Sequence, residues 1–454
     1  MNKVIVAPSG GALPAAIGIV RMSGSGCAEI LDKIFVAKCR KNTTKRIINK
    51  LYYGKLLNCE GKTLDLCMAT YFKAPNSYTG EDMVEIYTHG SAAIVSAACE
   101  SAVKHGARYA EAGEFTKRAF LNGKLDLTEA EATADLIHST SELAAQAAAE
   151  QLSGSVSGEI KALRAEITSL LAHYYAVCDY TDEDIEPFEY EKAVDVLSKA
   201  SARLTSLADG FERGNAIKNG IPVAVVGKPN SGKSSLFNAL AGQDRAIVTD
   251  EAGTTRDVIE EQINVNGALF RMLDTAGIRE TEGKAEAMGI ERSRKAAQTA
   301  QGVICVFDGS KELEDEDIEA SKMIPENLPK CAVINKSDLA LIDGMAEKIK
   351  NLNFANIFIL SAKTGEGLSA LTQWMKLLIP EARGVLVTSP RQARLMRLAA
   401  QDCALAADCA RAGLTADAFL SDAERALDNL GKITGETASA DIAGEIFSRF
   451  CVGK

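Results

Sequence analysis

"GKPNSGKS", Gly227 to Ser234, decides how this chain is read. It follows the apolar run "PVAVV" and precedes "SLFNALAG", a stretch of good helix formers. Strand, glycine-bounded loop and helix in that order form the setting in which G-x-x-x-x-G-K-[ST] cradles phosphate. Gly227 and Gly232 let the backbone turn tightly, so successive N–H groups face phosphate oxygens. The helix N-terminus adds its positive dipole end. Asn230, Ser231, Gly232, Lys233, Ser234 and Ser235 are the expected contacts. Lys233 would reach the β- and γ-phosphates, and the Ser234 hydroxyl would ligate Mg²⁺.

Downstream motifs choose the base. "DTAG" (Asp274, Thr275, Ala276, Gly277) follows the strand-like "FRML". Its acid can hold the Mg²⁺ water shell, and the Gly277 N–H can sense the γ-phosphate. "NKSD" closes "CAVI". Asp338 there can accept guanine's N1–H and exocyclic amine together, whereas adenine would leave that carboxylate unpaired. Asn335 would touch the base edge or brace the loop, and Lys336 would lie along the base. "SAK" (Ser361, Ala362, Lys363) can offer a backbone N–H to guanine O6. Between the first two motifs, the segment Thr249, Asp250, Glu251, Ala252, Gly253, Thr254, Thr255 sits where a switch loop would meet the nucleotide, with Thr255 the expected Mg²⁺ ligand. In this order the motifs specify a GTPase. Ile278 stands where small signalling GTPases place a water-orienting Gln, so another group must orient the water. Glu280, Glu282, Glu286 and Glu291 are the candidates, and periodicity does not choose among them.

Working outward, "PVAVVG", "FRMLD", "GVICVFD", "KCAVIN" and "NIFILS" alternate with helical segments, which implies a mostly parallel sheet covered on both faces over residues 218–382. Residues 119–217 and 383–454 are helical and alanine-rich, and are expected to form one discontinuous helical domain interrupted by the GTPase. Val156, Ile160, Leu163, Ile167, Leu170 and Tyr174 form one apolar stripe, expected to face a core. Residues 1–118 mix short β-runs with helix, as an α+β domain does. The expected class is therefore multidomain: α+β, all-α and α/β.

The 454 residues suffice for roughly three domains. A net charge of −10 argues against a broad basic surface for nucleic acid. The eleven scattered cysteines form no C-x-x-C pair, as expected of reduced thiols used mainly as small core residues. Few histidines and no clustered ligands speak against structural zinc. Residues 1–20 lack a secretory pattern, and no stretch of about 18 apolar residues occurs, so a cytoplasmic, membrane-free protein is expected. The terminal "FCVGK" mimics a prenylation box, but Gly453 and Lys454 do not fit one.

The motifs "GIVRMSG" (18–24), "PNSYTGEDMVEIYTHG" (75–90), "GEFTKRAFLNGKLDLTEAEATADLI" (113–137), the P-loop with Asn230, "DEAGTTRD" (250–257), "DTAGIRET", "GIERS" and the terminal "FCVGK" together resemble the MnmE (TrmE) family of tRNA-modification GTPases. The resemblance covers nearly the whole chain. It implies an N-terminal domain that dimerises and binds a 5-formyltetrahydrofolate-type one-carbon donor through positions matching Arg21, Glu85, Lys124 and the terminal Lys454. The tail would thread back toward that pocket, with Cys451 open to thiol chemistry or to simple burial. The resemblance further implies K⁺ in place of an arginine finger, held at Asn230, Thr249, Glu251 and Thr254, and Glu286 as the residue that positions water. G domains of two subunits would pair when K⁺ and GTP are bound. The implied partner is the FAD- and NADH-using protein MnmG. Together the two would build an aminomethyl or carboxymethylaminomethyl group on C5 of the tRNA wobble uridine. The chain departs from the family in part of the Gly-rich turn before Ile17 and at "DYTDEDI" (179–185). A ribosome-assembly GTPase would share the apolar residue after "DTAG" but would add an RNA-binding module, and residues after 385 contain none that is recognisable. A membrane-remodelling GTPase would need a basic amphipathic helix or lipid anchor, and neither is evident.

Overall fold

The computed structural model describes residues 3–38, 48–180, 186–243, 260–274, 298–381, 384–413 and 416–437, with 444, 446–448, 450 and 453. Contacts divide the chain into two units, one of Met1–Ala134, Gln151–Ala202 and Leu395–Lys454, the other of Asp135–Glu150 and Arg203–Arg394.

The first unit opens with β1 (Ile5–Pro8), β2 (Ala15–Ser23), β3 (Phe35–Ala37), β4 (Tyr52–Leu57), β5 (Thr63–Phe72), β6 (Met83–Gly90) and β7 (Arg108–Tyr109). They form one sheet in the order β3-β4-β5-β6-β2-β1-β7, antiparallel except for the β1–β7 edge. Alternation along the strands puts Val20, Met22, Val84 and Ile86 on the face covered by helices Cys27–Ile34 and Ala92–Lys104. The opposite face leaves Tyr53, Leu66 and Met68 exposed.

In the helical part, Ser155–Asp179 buries Val156, Ile160, Leu163, Ile167, Leu171 and Tyr174. The stripe is as read from the sequence but for one position: Leu171 takes the core place and Leu170 is half-buried. Leu171 lies four residues after Ile167, close to a full turn at 3.6 residues, whereas a step of three falls short of it. The helix packs on Ala416–Thr434, and the Tyr174 and Phe419 rings meet edge-on at 6.0 Å. Helices from either side of the GTPase segment thus share one core, the discontinuous domain expected.

The second unit is built on β8 (Ile221–Val226), β9 (Glu260–Val265), β10 (Ala268–Asp274), β11 (Gly302–Asp308), β12 (Lys330–Asn335) and β13 (Asn356–Ile359). Their order is β13-β12-β11-β8-β10-β9, parallel throughout except for β9. Successive residues of one strand enter opposite cores: Val223 and Val225 join Phe270 and Trp374, while Ala224 and Val226 join Phe307 and Phe354. Burial on both faces explains why β8, β11 and β12 read as unbroken apolar runs. Residues 135–150 and 203–217, assigned to the helical segment by composition, group with this unit. The Leu143 N–H donates to the Gly267 carbonyl at 3.1 Å, and Ala147, Ile217 and Leu386 share a core. Alanine-rich pattern marks a helix but does not say which neighbour it packs against.

Candidate functional site

The P-loop lies at the C-terminal end of β8, where ligands of parallel sheets bind. Gly227 (φ 146°), Asn230 (φ 63°) and Gly232 (φ 95°) carry the turn. A Cβ on Gly232 would stand 2.1 Å from Asn335 Nδ2, and one on Gly227 would stand 2.3 Å from the Val306 carbonyl. Only glycine permits this closeness. Lys233 opens the helix Lys233–Gln243, and its ammonium donates to the carbonyls of Gly227 and Lys228, both at 2.9 Å. The ammonium therefore sits within the turn that would receive phosphate. Ser234 and Ser235 are exposed in the first helical turn, as Mg²⁺ ligation by a hydroxyl there requires. The Ser231 hydroxyl is buried and meets no partner among the described residues.

Each functional side chain of "NKSD" is held by a residue outside the motif. Asn335 donates through Nδ2 to the Ser231 carbonyl at 3.1 Å and accepts the Ala362 N–H at 3.0 Å, tying the base loop to the P-loop and to "SAK". The Ser361 hydroxyl donates to Asp338 at 2.6 Å and holds this exposed carboxyl below its usual range. Lys336, at φ 67°, donates to Asp308 at 2.7 Å.

Two contributions escaped the reading of the motifs. Asp308 ends β11 in "VFDGS", and an acid closing a central parallel strand was the available signal. Lys228, the second P-loop residue, is buried and pairs with Asp317 at 2.8 Å and Glu314 at 3.2 Å, at the N-terminus of helix Asp315–Lys322. Nothing in its spacing marks that partner.

Asp274 ends β10 opposite Val225, which puts its backbone beside the P-loop strand. Thr249, Asp250, Glu251, Ala252, Gly253, Thr254, Thr255, Thr275, Ala276, Gly277 and Glu286 lie outside the described residues, as do Cys451 and Lys454.

In the N-terminal domain, Arg21 and Glu85 are register partners on β2 and β6. Arg21 Nε donates to Glu85 at 2.9 Å, and Tyr87 donates to the other carboxylate oxygen at 2.5 Å. The Arg21 guanidinium lies 5.5 Å from the Tyr78 ring and 5.8 Å from the Phe115 ring. Tyr78 belongs to the loop that packs the Lys124 stem: a Cβ on Gly80 would stand 3.1 Å from Lys124 Cγ. Arg21, Glu85 and Lys124 thus fall in one unit. The tail returns to it. Phe447 and Phe450 are buried with Leu127 and Ala130, and Ser9 donates to the Gly453 carbonyl at 2.8 Å.

Burial pushes the thiols of Cys27, Cys67, Cys99 and Cys403 up to about 12, which makes them inert core residues. Among the described residues no cluster of His, Cys, Asp and Glu could hold a metal, and no helix is long and apolar enough to cross a membrane.

Comparison with known proteins extends this picture over the whole chain. The model of the GTP-binding protein TrmE N-terminus matches residues 4–124, and that of the MnmE helical domain matches residues 127–451. The tRNA modification GTPase MnmE of Aquifex aeolicus is 40% identical over 460 residues, covering 100% of both chains. The protein of the same name from Finegoldia magna is 38% identical over 460 residues, again covering 100% of both. A solved structure of an Aquifex aeolicus Era variant bound to GDP·AlF4⁻ aligns at 28% identity over 40% of this chain and 65% of that chain, with a TM-score of 0.29. With both family models and full-length similarity in agreement, the chain belongs to the MnmE (TrmE) family of tRNA modification GTPases.

Proposed function

We propose that this chain hydrolyses GTP to GDP and phosphate under K⁺ activation. With an FAD-dependent partner, MnmG, it installs an aminomethyl or carboxymethylaminomethyl group on C5 of the tRNA wobble uridine, using a folate one-carbon donor. The observation that carries the GTPase part is the double hydrogen bond of Asn335, which binds P-loop, base motif and "SAK" into one site. In it the loop amides and Lys233 would hold the phosphates, and Asp338 would accept guanine's two donors. Ser234 and Thr255 would hold Mg²⁺, and Asn230 with Thr249, Glu251 and Thr254 would hold K⁺. When bound, the two cations neutralise charge developing on the transferred phosphoryl group. Glu286 would orient the water that attacks the γ-phosphorus as the bond to the β-bridging oxygen breaks.

Arg21, Glu85, Lys124 and Lys454, with Cys451 nearby in sequence, would line the folate pocket. What supports this reading is a largely buried cation–carboxylate pair flanked by two flat rings, which suits a polar heteroaromatic ligand. The exposed Tyr53, Leu66 and Met68 on the N-terminal sheet support homodimerisation through that domain. Pairing of G domains in the GTP state belongs to the same proposal. So do the boundaries 1–118, 119–217, 218–382 and 383–454, less residues 135–150, 203–217 and 383–394, which group with the GTPase unit.

The test is phosphate release in KCl against NaCl, alongside calorimetric titration with 5-formyltetrahydrofolate. Hydrolysis should be faster in K⁺ by at least about tenfold, the scale of one well-placed charge. Folate should saturate one site per subunit and lose that binding in Arg21→Ala. Equal rates in the two salts would remove the K⁺ site. Absence of folate heat would remove the one-carbon role and leave only the GTPase.

A further inference from the structure

Asp308 lies beside the base motif without belonging to it. It ends β11 in register with Asn335, and the Gly309 N–H donates to the Asn335 carbonyl at 2.9 Å. The residue is only 3% exposed. One carboxylate oxygen accepts the Ser310 N–H at 3.1 Å and the Ser310 hydroxyl at 2.6 Å, which fixes its orientation. The other accepts the Lys336 ammonium at 2.7 Å. Lys336 itself has left-handed backbone, φ 67°, a conformation that a non-glycine residue keeps only when its surroundings enforce it.

Asn335 is held by Ser231 and Ala362, and Asp338 is held by Ser361. Lys336 is the most flexible of the three side chains, with a long stem and a strongly hydrated head. Left free, it would lose rotamer entropy each time a base bound beside it. We infer that Asp308 is a positioning residue for the guanine site: it anchors the Lys336 ammonium, so that the lysine stem stands as a fixed wall beside the base and slows nucleotide release. This inference rests on the guanine-nucleotide reading of the site.

The test is stopped-flow release of a fluorescent GDP analogue from the full chain, wild type against Asp308→Asn, Lys336→Met and Lys336→Arg. Asp308→Asn keeps the shape and the Ser310 contacts but loses the charge. It should release nucleotide roughly tenfold faster, within the range of coupled charged pairs. Its KM for GTP should rise while kcat stays level. Lys336→Met should match it, Lys336→Arg should stay near wild type, and the Asp308→Asn/Lys336→Met double variant should be no faster than Lys336→Met alone. Wild-type release from Asp308→Asn, or effects that multiply in the double variant, overturns the inference. Should Asp308→Asn fail to fold, Lys336→Met decides, and a wild-type rate there is equally fatal. Failure of the wild type to bind the analogue would instead sink the guanine reading itself.

Discussion

The nucleotide site and the N-terminal Arg21–Glu85 cluster are built by opposite means. The nucleotide site gathers short contiguous stretches, each at the C-terminal end of a parallel strand, and its ligand is to be met largely by backbone N–H groups and by side chains pinned to neighbouring loops. The N-terminal cluster takes Arg21 from one strand, Glu85 from another and flanking rings from Tyr78 and Phe115, while Gly453 packs against Pro8. Backbone-built sites need particular residues at particular spacings. Side-chain-built sites need only that sheet register bring suitable groups together, so their residues are scattered.

If that contrast is right, the nucleotide site should break at single backbone positions and at its buried braces. The largest effect is expected at Lys228→Met, which leaves the buried Asp317 carboxylate without its cation. Unfolding of the GTPase unit in urea should show a loss of about 3–5 kcal/mol, the scale for one half of a buried pair. Gly232→Ala comes next. Its Cβ would press on Asn335 Nδ2 and part the P-loop from the base loop, so GDP affinity should drop about a hundredfold, as misplacements of about 1 Å do. An unchanged affinity would mean that the loops are not mutually fixed.

In the N-terminal region, Gly453→Ala probes the scattered kind of site. Its φ of 100° and a Cβ only 1.8 Å from the Pro8 carbonyl should lift the tail off. About 1–3 kcal/mol of local stability should be lost, read as faster hydrogen exchange at Phe447 and Phe450 while GDP binding stays intact. The smallest effect is expected at Ser231→Ala. Removing a buried hydroxyl that has no partner among the described residues should change the stability of the nucleotide-free chain by less than about 1 kcal/mol, in the stabilising direction. A large loss there would reveal a polar role inside the P-loop.

Much of the molecule is legible in its sequence alone. The phosphate loop and the mostly parallel sheet followed from residue type and spacing, because those features obey local rules: glycine where a Cβ would collide, unbroken apolar runs where both sheet faces are buried. The stripe on Ser155–Asp179 was legible for the same reason, apart from the step between Leu170 and Leu171 that 3.6-residue periodicity resolves only in three dimensions. Arg21, Glu85 and Lys124 were reached only through family resemblance, since nothing near them in sequence states their neighbours.

By itself, then, the sequence determined a guanine-nucleotide P-loop domain set between helical segments and preceded by an α+β domain. Only the tertiary structure decided that Lys228 braces the P-loop against Asp317, that Asp308 holds Lys336, that residues 135–150 join the GTPase unit, and that the tail closes on Ser9. The physical reason is range. Backbone turns and strand periodicity are governed by a few adjacent residues, whereas an ion pair or a packed tail depends on which distant segments the folded core brings within hydrogen-bonding distance.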